Sequence, residues 1–326
     1  DRWPIQAKQV SRINIEKLRQ LETATDKTFQ DCDYAIGWTT DPTRYAAVPV
    51  RRAAGTPYTT LKSEHVKSIE SIGVFEKIDP SQVRGHVRVF SVAEPAKCRF
   101  RAIKEPRDIN DVLGRDTLMT TDMATKADIR QLVHKGNYFV QFDYSQYYDQ
   151  FALHRDISLR QCFRKGRQFY RQATAAMGQR QMVEVAHTAT RKISDFLGRK
   201  CETKAIIDNV VFVGKTAQEC VDDGDKFVER SRQVGATLND AGISVKDNVQ
   251  QEGDWGGVHL DFVNKTVRLT EKIVTKTKLS MSRASSWSYR NLAAHFGLLF
   301  WAIGLVDVNP GDYFTALQFY AGACRE

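Results

Sequence analysis

Two apolar runs in this sequence each end at an aspartate. Residues 138–142 are largely apolar and lead directly into Asp143, after which aromatic and polar residues follow. Residues 204–214 contain two apolar stretches that meet at Asp208-Asn209, a pair that tolerates the positive φ values of a tight hairpin turn. Because such runs are typical of buried strands, we predict that Asp143 and Asp208 lie at the tips of neighbouring strands.

Amphipathic helices are predicted around these strands. The clearest spans 178–197, where apolar residues recur at three- and four-residue spacing before Gly198. A second follows the Asp208 hairpin at 225–241. Further helices are predicted at 11–22, 56–74 and 125–136. The order of strands and helices predicts an α+β fold in which two helices cover one face of an antiparallel sheet and the aspartates emerge at its edge.

Alternating polar and apolar residues predict two further pairs of strands. One pair spans 85–92 and 98–110, and its second strand alternates basic with apolar residues before a turn that begins at Pro106. The other pair comprises 255–262 and 265–269. A ribbon with cations on one face suits a cover that grips a triphosphate, since Arg binds phosphate bidentately and Lys acts as a point charge. An ordinary solvated strand face has the same pattern.

The composition adds a polyanionic partner to these predictions. The 326 residues are 42% hydrophobic and 27% charged, values typical of a soluble globular protein with two or three subdomains. The formal net charge is +9, and phosphates neutralised by Lys and Arg stabilise a complex by releasing counterions. Cations cluster at 99–107 and at 155–171, where aromatic residues are interleaved, as expected where phosphates and stacked bases are bound.

The cysteines and the most apolar stretch bear on the cellular setting. The six cysteines form no C-x-x-C pair and have no histidine at metal-binding spacing, so we predict reduced thiols in a reducing, intracellular compartment. Residues 293–306 are the longest apolar stretch, shorter than the ~20 residues that a membrane span needs. We therefore predict no membrane association, and a helix at 293–306 that is buried or faces a protein partner. The start at Asp1, without a signal peptide, is typical of an excised or processed domain.

The two aspartates suit a site for divalent metal ions. Mg²⁺ and Mn²⁺ take oxygen ligands and keep water or substrate phosphate in their remaining positions. In two-metal phosphoryl transfer the ions lie roughly 3.5–4 Å apart and stabilise the attacking and leaving oxygens. An aspartate at a strand end or in a turn is also ordinary loop chemistry, so the surrounding motifs have to decide between these interpretations.

Together these segments resemble the polymerase domain of a reverse transcriptase, from about Val87 to about Leu279. Phe142-Asp143 followed by Tyr148 is similar to the first catalytic motif of that family, in which the aspartate binds metal and the aromatic residue excludes a ribose 2′-hydroxyl. The other similar motifs are the nucleotide pocket (176–179), the metal-binding hairpin (206–209), the primer grip (255–261) and the fingers strand (98–110).

The resemblance implies a right-hand polymerase with fingers, a palm and a partial thumb or connection, in which helices cover an antiparallel palm sheet. The N-terminal extension and the start of the fingers would occupy 1–84, and the rest of the fingers 85–137. The palm would occupy 138–252 with a basic insert at 155–176. The primer-grip hairpin and the thumb or connection helices would occupy 253–326.

The resemblance also implies an activity and its site. An RNA template would be copied into DNA from a nucleic-acid primer and deoxynucleoside triphosphates, with two Mg²⁺ or Mn²⁺ ions held by Asp143 and Asp208 and oriented by Asn209. The residues implied to bind the nucleotide are Arg101, Lys104, Tyr148, Gly178 and Gln179. The residues implied to form the primer grip are Trp255, Gly256 and Gly257.

Within the family, residues 147–151 and 177–181 look most like the tyrosine-recombinase class of retroelements, the DIRS-like group with its kinetoplastid VIPER-type relatives. In that class a ribonuclease H domain is expected beyond Glu326. Asn209 stands where the family usually has a second aspartate, and Ala176 where it usually has proline. Since an amide still offers a neutral oxygen, two hypotheses stay open: an active polymerase, and a catalytically silent domain of this fold that binds RNA or serves in assembly.

Overall fold

The computed structural model describes residues 3–114, 122–239, 242, 244–282, 289–305, 311, 315, 318 and 321. Its α-helices are α1 Ile15–Gln20, α2 Asp26–Thr40, α3 Ser63–Ser71, α4 Arg107–Leu113, α5 Lys126–Lys135, α6 Arg155–Ser158, α7 Arg180–Ser194, α8 Ala217–Gln233, α9 Glu271–Ser282 and α10 Tyr289–Ile303. Its strands are β1 Phe75–Ile78, β2 Arg88–Glu94, β3 Arg99–Glu105, β4 Tyr138–Asp143, β5 Cys162–Lys165, β6 Gln168–Gln172, β7 Glu202–Ile206, β8 Asn209–Gly214, β9 Glu252–Trp255, β10 Val258–Asp261 and β11 Thr266–Leu269.

The central sheet is antiparallel, with the strand order β4-β8-β7. Alternate side chains point to opposite faces of a strand, and both faces of this sheet are covered. Val140, Val210 and Phe212 share one core with residues of α7 and α8. Phe139, Val211 and Val213 share a second core with residues of α5 and of the β9–β11 sheet. The predicted α+β arrangement, with helices over an antiparallel sheet, is confirmed.

The basic insert folds into a hairpin of β5 and β6, and β6 also pairs with β1. Its aromatic side chains point inward: Phe163 is 0% exposed, Phe169 7% and Tyr170 6%. The rings of Phe163 and Tyr170 stack with centroids 5.4 Å apart. The prediction that these rings are placed to stack on bases is therefore wrong, because burying them against one another stabilises the sheet instead.

Three helices differ from the sequence prediction. Helix α8 begins eight residues before the predicted start, because Thr216 and Glu219 form a reciprocal capping box, and it ends before Gly235, whose φ is +76°. Helix α2 was not predicted, although Thr25 caps it. Helix α4 replaces the turn expected after Pro106. Helices α1 and α3 form where expected but are shorter.

Residues 3–14, the N-terminal segment, connect two parts of the molecule. Phe100 of β3 donates a main-chain hydrogen bond to the segment at 2.8 Å and accepts one from it at 2.7 Å. Further along, Ile13 donates to the Gln150 carbonyl and Asn14 to the Val234 carbonyl, both at 2.8 Å. The segment therefore ties the β2–β3 hairpin to the loops around the central sheet.

The C-terminal helices α9 and α10 pack against each other. Trp301 and Leu305 join the core below the β9–β11 sheet. The predicted apolar helix at 293–306 overlaps α10 from residue 293 to its end at Ile303. Val306 lies outside the described residues, and contact of this helix with a protein partner stays a prediction. No helix in the described ranges is long and apolar enough to cross a membrane. All cysteines except Cys324, which is not described, are free thiols.

Candidate active site

A cavity of about 470 Å³ lies between the central sheet, the β2–β3 hairpin and the N-terminal segment. One side, the acidic wall, presents Asp143, Asp208 and Asn239. The other side, the cationic wall, presents Lys8, Lys97, Arg99, Arg101 and Lys104. Of the predicted site residues, Asp143, Asp208, Tyr148, Arg101 and Lys104 line this cavity together.

Asp143 is the last residue of β4 and lies directly opposite Asn209, the first residue of β8. The Asn209 amide donates to a carboxylate oxygen of Asp143 at 3.5 Å. Asn239 donates its side-chain amide to the other oxygen of Asp143 and its main-chain N–H to the Asp143 carbonyl, the latter at 2.8 Å. The two amides therefore orient the Asp143 carboxylate toward the cavity.

The pKa of Asp208 is raised, chiefly because burial disfavours the charged carboxylate. A hydrogen bond with Asp143 and the positive charge of Arg101 act in the opposite direction. Two carboxylates beside a neutral amide form a set of hard oxygen donors that fits Mg²⁺ or Mn²⁺. No group of three or more His, Cys, Asp or Glu side chains that could hold a metal ion occurs within the described residues, so water or phosphate would complete the coordination.

The turn that carries Asp208 differs from the sequence prediction. The positive φ falls on Ile207, at 55°, and not on Asp208 or Asn209. A β-branched residue in this conformation is strained. Because β8 begins at Asn209, the two turn residues are Ile207 and Asp208. The prediction that the Asp208-Asn209 pair forms the turn is therefore wrong by one residue.

Two buried side chains of α7 hold the strained residue. The Ile207 N–H donates to His187 Nδ1 at 3.1 Å, and the Thr190 hydroxyl donates to the Ile207 carbonyl at 2.6 Å. His187 and Thr190 are both 0% exposed and, three residues apart, share one face of the helix. Burial lowers the pKa of His187, which keeps the imidazole neutral and Nδ1 free to accept. Helix α7 thus fixes the position of Asp208.

Tyr148 borders the cavity beside the two aspartates. It belongs to a short 3₁₀ turn, Tyr147–Gln150, which follows Gln146 in a left-handed conformation with φ 42°. Burial raises the pKa of Tyr148 to about 12, and the charge of Asp208 adds to this effect. The phenol therefore stays protonated at neutral pH, and it presents a half-buried ring to the cavity rather than a charge.

Arg101 and Lys104 are both bonded to acidic side chains. Arg101 lies 2.7 Å from Glu94 across the β2–β3 hairpin. Lys104 is 7% exposed, and its ammonium donates to Asp149 at 3.2 Å. These ion pairs restrain the two cationic side chains, and both residues still line the cavity.

Gly178 and Gln179 do not line the cavity, although Met177 does. The Gly178 N–H donates to the Lys104 carbonyl at 3.2 Å, and a Cβ at this position would lie 2.3 Å from that oxygen. Gln179 is 0% exposed and donates to the Tyr45 hydroxyl at 2.7 Å. The predicted close approach of Gly178 therefore involves the main chain of β3 and not a ligand, and Gln179 lies in the protein interior.

The predicted primer-grip residues form the tight turn between β9 and β10. Gly256 and Gly257 have φ values of +60° and +84°, which glycine adopts without strain. A Cβ on Gly256 would lie 3.3 Å from Ile206, and one on Gly257 would lie 3.0 Å from Trp301. Trp255 is 2% exposed. The turn therefore supports the Asp208 hairpin from below, outside the cavity.

Several residues at the cavity were missed by sequence reasoning. Asn239 contacts Asp143 across 96 residues of sequence, and Gln146 donates to the carbonyl of Lys8 across 138 residues. His187 was within a predicted helix but had no predicted role. No local pattern marks contacts of this length, and His187 falls on the polar side of the predicted helix, beside Arg180 and Arg191.

No family model matches the chain, and no curated protein matches it in sequence. Solved structures of a foamy viral protease-reverse transcriptase are similar in fold. One in complex with double-stranded DNA, described as dRH, gives a TM-score of 0.59 at 12% identity, covering 92% of this chain and 54% of that one. A second with double-stranded DNA gives 0.58 at 11% identity, with 90% and 63% covered. A third with an RNA/DNA hybrid gives 0.56 at 11% identity, with 90% and 41% covered.

The fold of this chain is that of a reverse transcriptase polymerase. The chain spans about half the length of the viral proteins that it matches. The resemblance to the DIRS-like class stays a prediction, as do the domain borders given above.

Proposed function

We propose that this chain is a reverse transcriptase polymerase domain that adds deoxynucleotides to a nucleic-acid primer as directed by an RNA template. One observation carries the proposal: within a reverse transcriptase fold, Asp143 and Asp208 converge on a cavity whose opposite wall is cationic. The cationic wall is complementary to an anionic triphosphate, and the acidic wall is complementary to the metal ions that accompany the triphosphate.

Asp143 and Asp208 would hold two Mg²⁺ or Mn²⁺ ions, with Asn209 orienting the Asp143 carboxylate. Bound divalent ions neutralise charge on the attacking and leaving oxygens in this class of reaction. The remaining work belongs to side chains of this chain: Tyr148 would exclude a 2′-hydroxyl from the cavity, and Arg101 would bind the triphosphate. Lys104 would support it from its ion pair with Asp149.

The nucleic-acid partners are an RNA template and a primer. The net charge of +9 supports a polyanionic partner. The foamy viral proteins of similar fold were solved with double-stranded DNA and with an RNA/DNA hybrid. The β9–β10 turn lies beneath the Asp208 hairpin, a position suited to support the primer end.

The second candidate function is a catalytically silent domain that binds RNA or serves in assembly. Asn209 favours it, because the residue opposite Asp143 is neutral. Against it, the ion pairs of Arg101 and Lys104 are made with Glu94 and Asp149, while Asp143 and Asp208 border an open cavity. A decayed site would be expected to fill this space with a basic side chain, so we favour the active polymerase.

Primer extension tests the proposal. The chain is incubated with a primed RNA template, deoxynucleoside triphosphates and Mg²⁺ or Mn²⁺, beside the variants Asp208→Ala and Asn209→Asp. Extension by the parent that is lost in Asp208→Ala would support the polymerase and show that Asn209 is tolerated. Extension only in Asn209→Asp would support the silent domain, and no extension in any of the three, with RNA binding retained, would reject the enzyme.

A further inference from the structure

We propose that the N-terminal segment contributes a phosphate-binding cation, Lys8, to this cavity, and that Lys8 contacts the β- and γ-phosphates of a nucleoside triphosphate. The inference deepens the proposed function and rests on it. It assigns a role to a part of the chain whose pattern of residues predicted none.

The main chain around Lys8 is held from both sides of the cavity. On one side Gln6 donates to the Phe100 carbonyl of β3 at 2.7 Å. On the other side the Gln146 side chain donates to the carbonyl of Lys8 itself, and Ser11 donates to the Thr237 hydroxyl at 3.1 Å. Gln146 directly precedes the turn that carries Tyr148. The backbone at Lys8 is therefore fixed near the predicted sugar position.

The charges of the cationic wall are unequally compensated. Arg99 and Arg101 share one carboxylate, that of Glu94, at 2.6 and 2.7 Å. Lys104 has Asp149. Lys8 and Lys97 make no ion pair with any residue that the structure describes, and both are exposed. The wall therefore retains positive charge, and an anion in the cavity would be its complement.

A triphosphate fits this charge better than a nucleic-acid backbone. The cavity volume of about 470 Å³ lies in the range of small-molecule sites, ~300–1,000 Å³. A triphosphate concentrates several negative charges in one place, whereas a backbone phosphate carries one. A lysine ammonium is a point charge on a flexible stem, so Lys8 can reach the phosphates without a fixed geometry.

Binding of a fluorescent deoxynucleoside triphosphate, followed by anisotropy on the full chain with Mg²⁺, tests the proposal without turnover. The matched probe is the same nucleoside as a monophosphate. We expect Lys8→Ala to weaken triphosphate binding about tenfold, the loss of one charge-assisted hydrogen bond, and to leave monophosphate binding unchanged. Lys8→Arg should retain most of the affinity. Lys17→Ala, an exposed lysine on α1 outside the cavity, is the control and should bind like the parent.

Several results would overturn the assignment. These are an unchanged triphosphate affinity in Lys8→Ala, an equal loss for both probes, or a parent that binds neither. A loss confined to primer–template affinity would place Lys8 on the polynucleotide and would also overturn it. If the parent binds the triphosphate through Lys8 but extends no primer, the polymerase proposal fails and the binding site stands. In an active parent, Lys8→Ala should raise the KM for the nucleotide about tenfold with kcat unchanged.

Discussion

The two walls of the cavity are held in place by different forces. The acidic wall stands on the central sheet, whose two faces are buried in separate cores, and buried side chains of α7 hold its turn. The cationic wall stands on a two-stranded hairpin and the N-terminal segment, and ion pairs such as Lys104–Asp149 hold it. In the acidic wall, apolar packing holds the aspartates in place, and their charges add little to stability. In the cationic wall, ion pairs made by the cations themselves hold the wall in place.

This difference separates stability from activity. Substitutions of buried cationic-wall residues should cost stability, because they break bonds that hold the wall. Substitution of Asp208 should cost activity and spare stability, because burial already disfavours its charge.

The largest effect is expected from Lys104→Met. The substitution removes the ammonium that pairs with Asp149, which is 9% exposed, and breaking a buried ion pair typically costs about 3–5 kcal/mol of unfolding free energy. Urea unfolding at pH 7 would measure it. Lys97→Met, on the exposed end of the same wall, is the matched control and should change stability by less than about 0.5 kcal/mol. Equal effects of the two variants would contradict the distinction between paired and unpaired cations.

Asp208→Asn should lower primer extension about 10²–10³-fold, as expected for loss of one preorganised charged group. It should also raise the unfolding free energy at pH 7. The sign follows from the raised pKa of Asp208: the folded state disfavours the ionised carboxylate, and the amide removes that penalty. Asp222→Asn is the opposite control, because hydrogen bonds from Gln218 and Lys200 lower the pKa of Asp222, so this variant should lose stability. A loss of stability in both variants would contradict the raised pKa of Asp208.

His187→Ala should destabilise the chain by about 1–3 kcal/mol, since it leaves the Ile207 N–H without an acceptor in a buried site. His187→Asn restores an acceptor oxygen and should recover part of both stability and primer extension. The comparison of the two variants by urea unfolding separates the hydrogen bond from the loss of ring volume. Identical losses would show that the ring packs at the turn without positioning it.

The smallest effect concerns His259 on β10, whose ring bonds to Glu252 at 2.8 Å and to Asp254 at 2.6 Å. These bonds raise its pKa, Glu252 most. The contribution of His259 to the free energy of unfolding is therefore complete below about pH 6.5, the ordinary pKa of histidine. It is lost as the pH rises through the raised pKa of the folded state. His259→Gln should lose about 0.2–1 kcal/mol at pH 5.5 and less at pH 9, measured by urea unfolding.

For His187 the pH dependence of stability has the opposite sign to that for His259, because burial lowers the pKa of His187. Its contribution is complete above about pH 6.5 and is lost as the pH falls below that value. The stability difference between the parent and His187→Asn should therefore shrink toward acid. If the stability differences of the His187 and His259 variants changed with pH in the same direction, the opposite pKa shifts of the two histidines would be contradicted.

The acidic wall was largely predictable from sequence, because the signal is local. Apolar runs that end at Asp143 and around Asp208 indicate buried strand ends whatever the rest of the chain does. The conformation of the turn was not predictable. Its strain at Ile207 is maintained by His187 and Thr190, which lie 20 and 17 residues away, and propensity alone places the positive φ on Asp-Asn.

The cationic wall was only partly predictable. The basic alternation of 98–110 indicated the strand with Arg101 and Lys104, but the partners of these residues come from distant positions. Gln179 matches a pocket motif by sequence and yet lies in the interior, because the polar side chains of Tyr45 and Gln161 satisfy its amide. Lys8 reaches the cavity only because main-chain bonds, which any residue type can make, hold its segment there.

The N-terminal segment also imposes an order on biosynthesis. Ser11 bonds to Thr237, 226 residues later in the chain, and Asn14 bonds to Val234. A ribosome releases residues 3–14 before the rest of this stretch, yet these partners emerge only after both aspartate strands. A nascent chain can therefore pair the strands that carry Asp143 and Asp208 while its first residues are still unbound. The side of the cavity that Lys8 occupies is completed after these strands, although it is encoded before them.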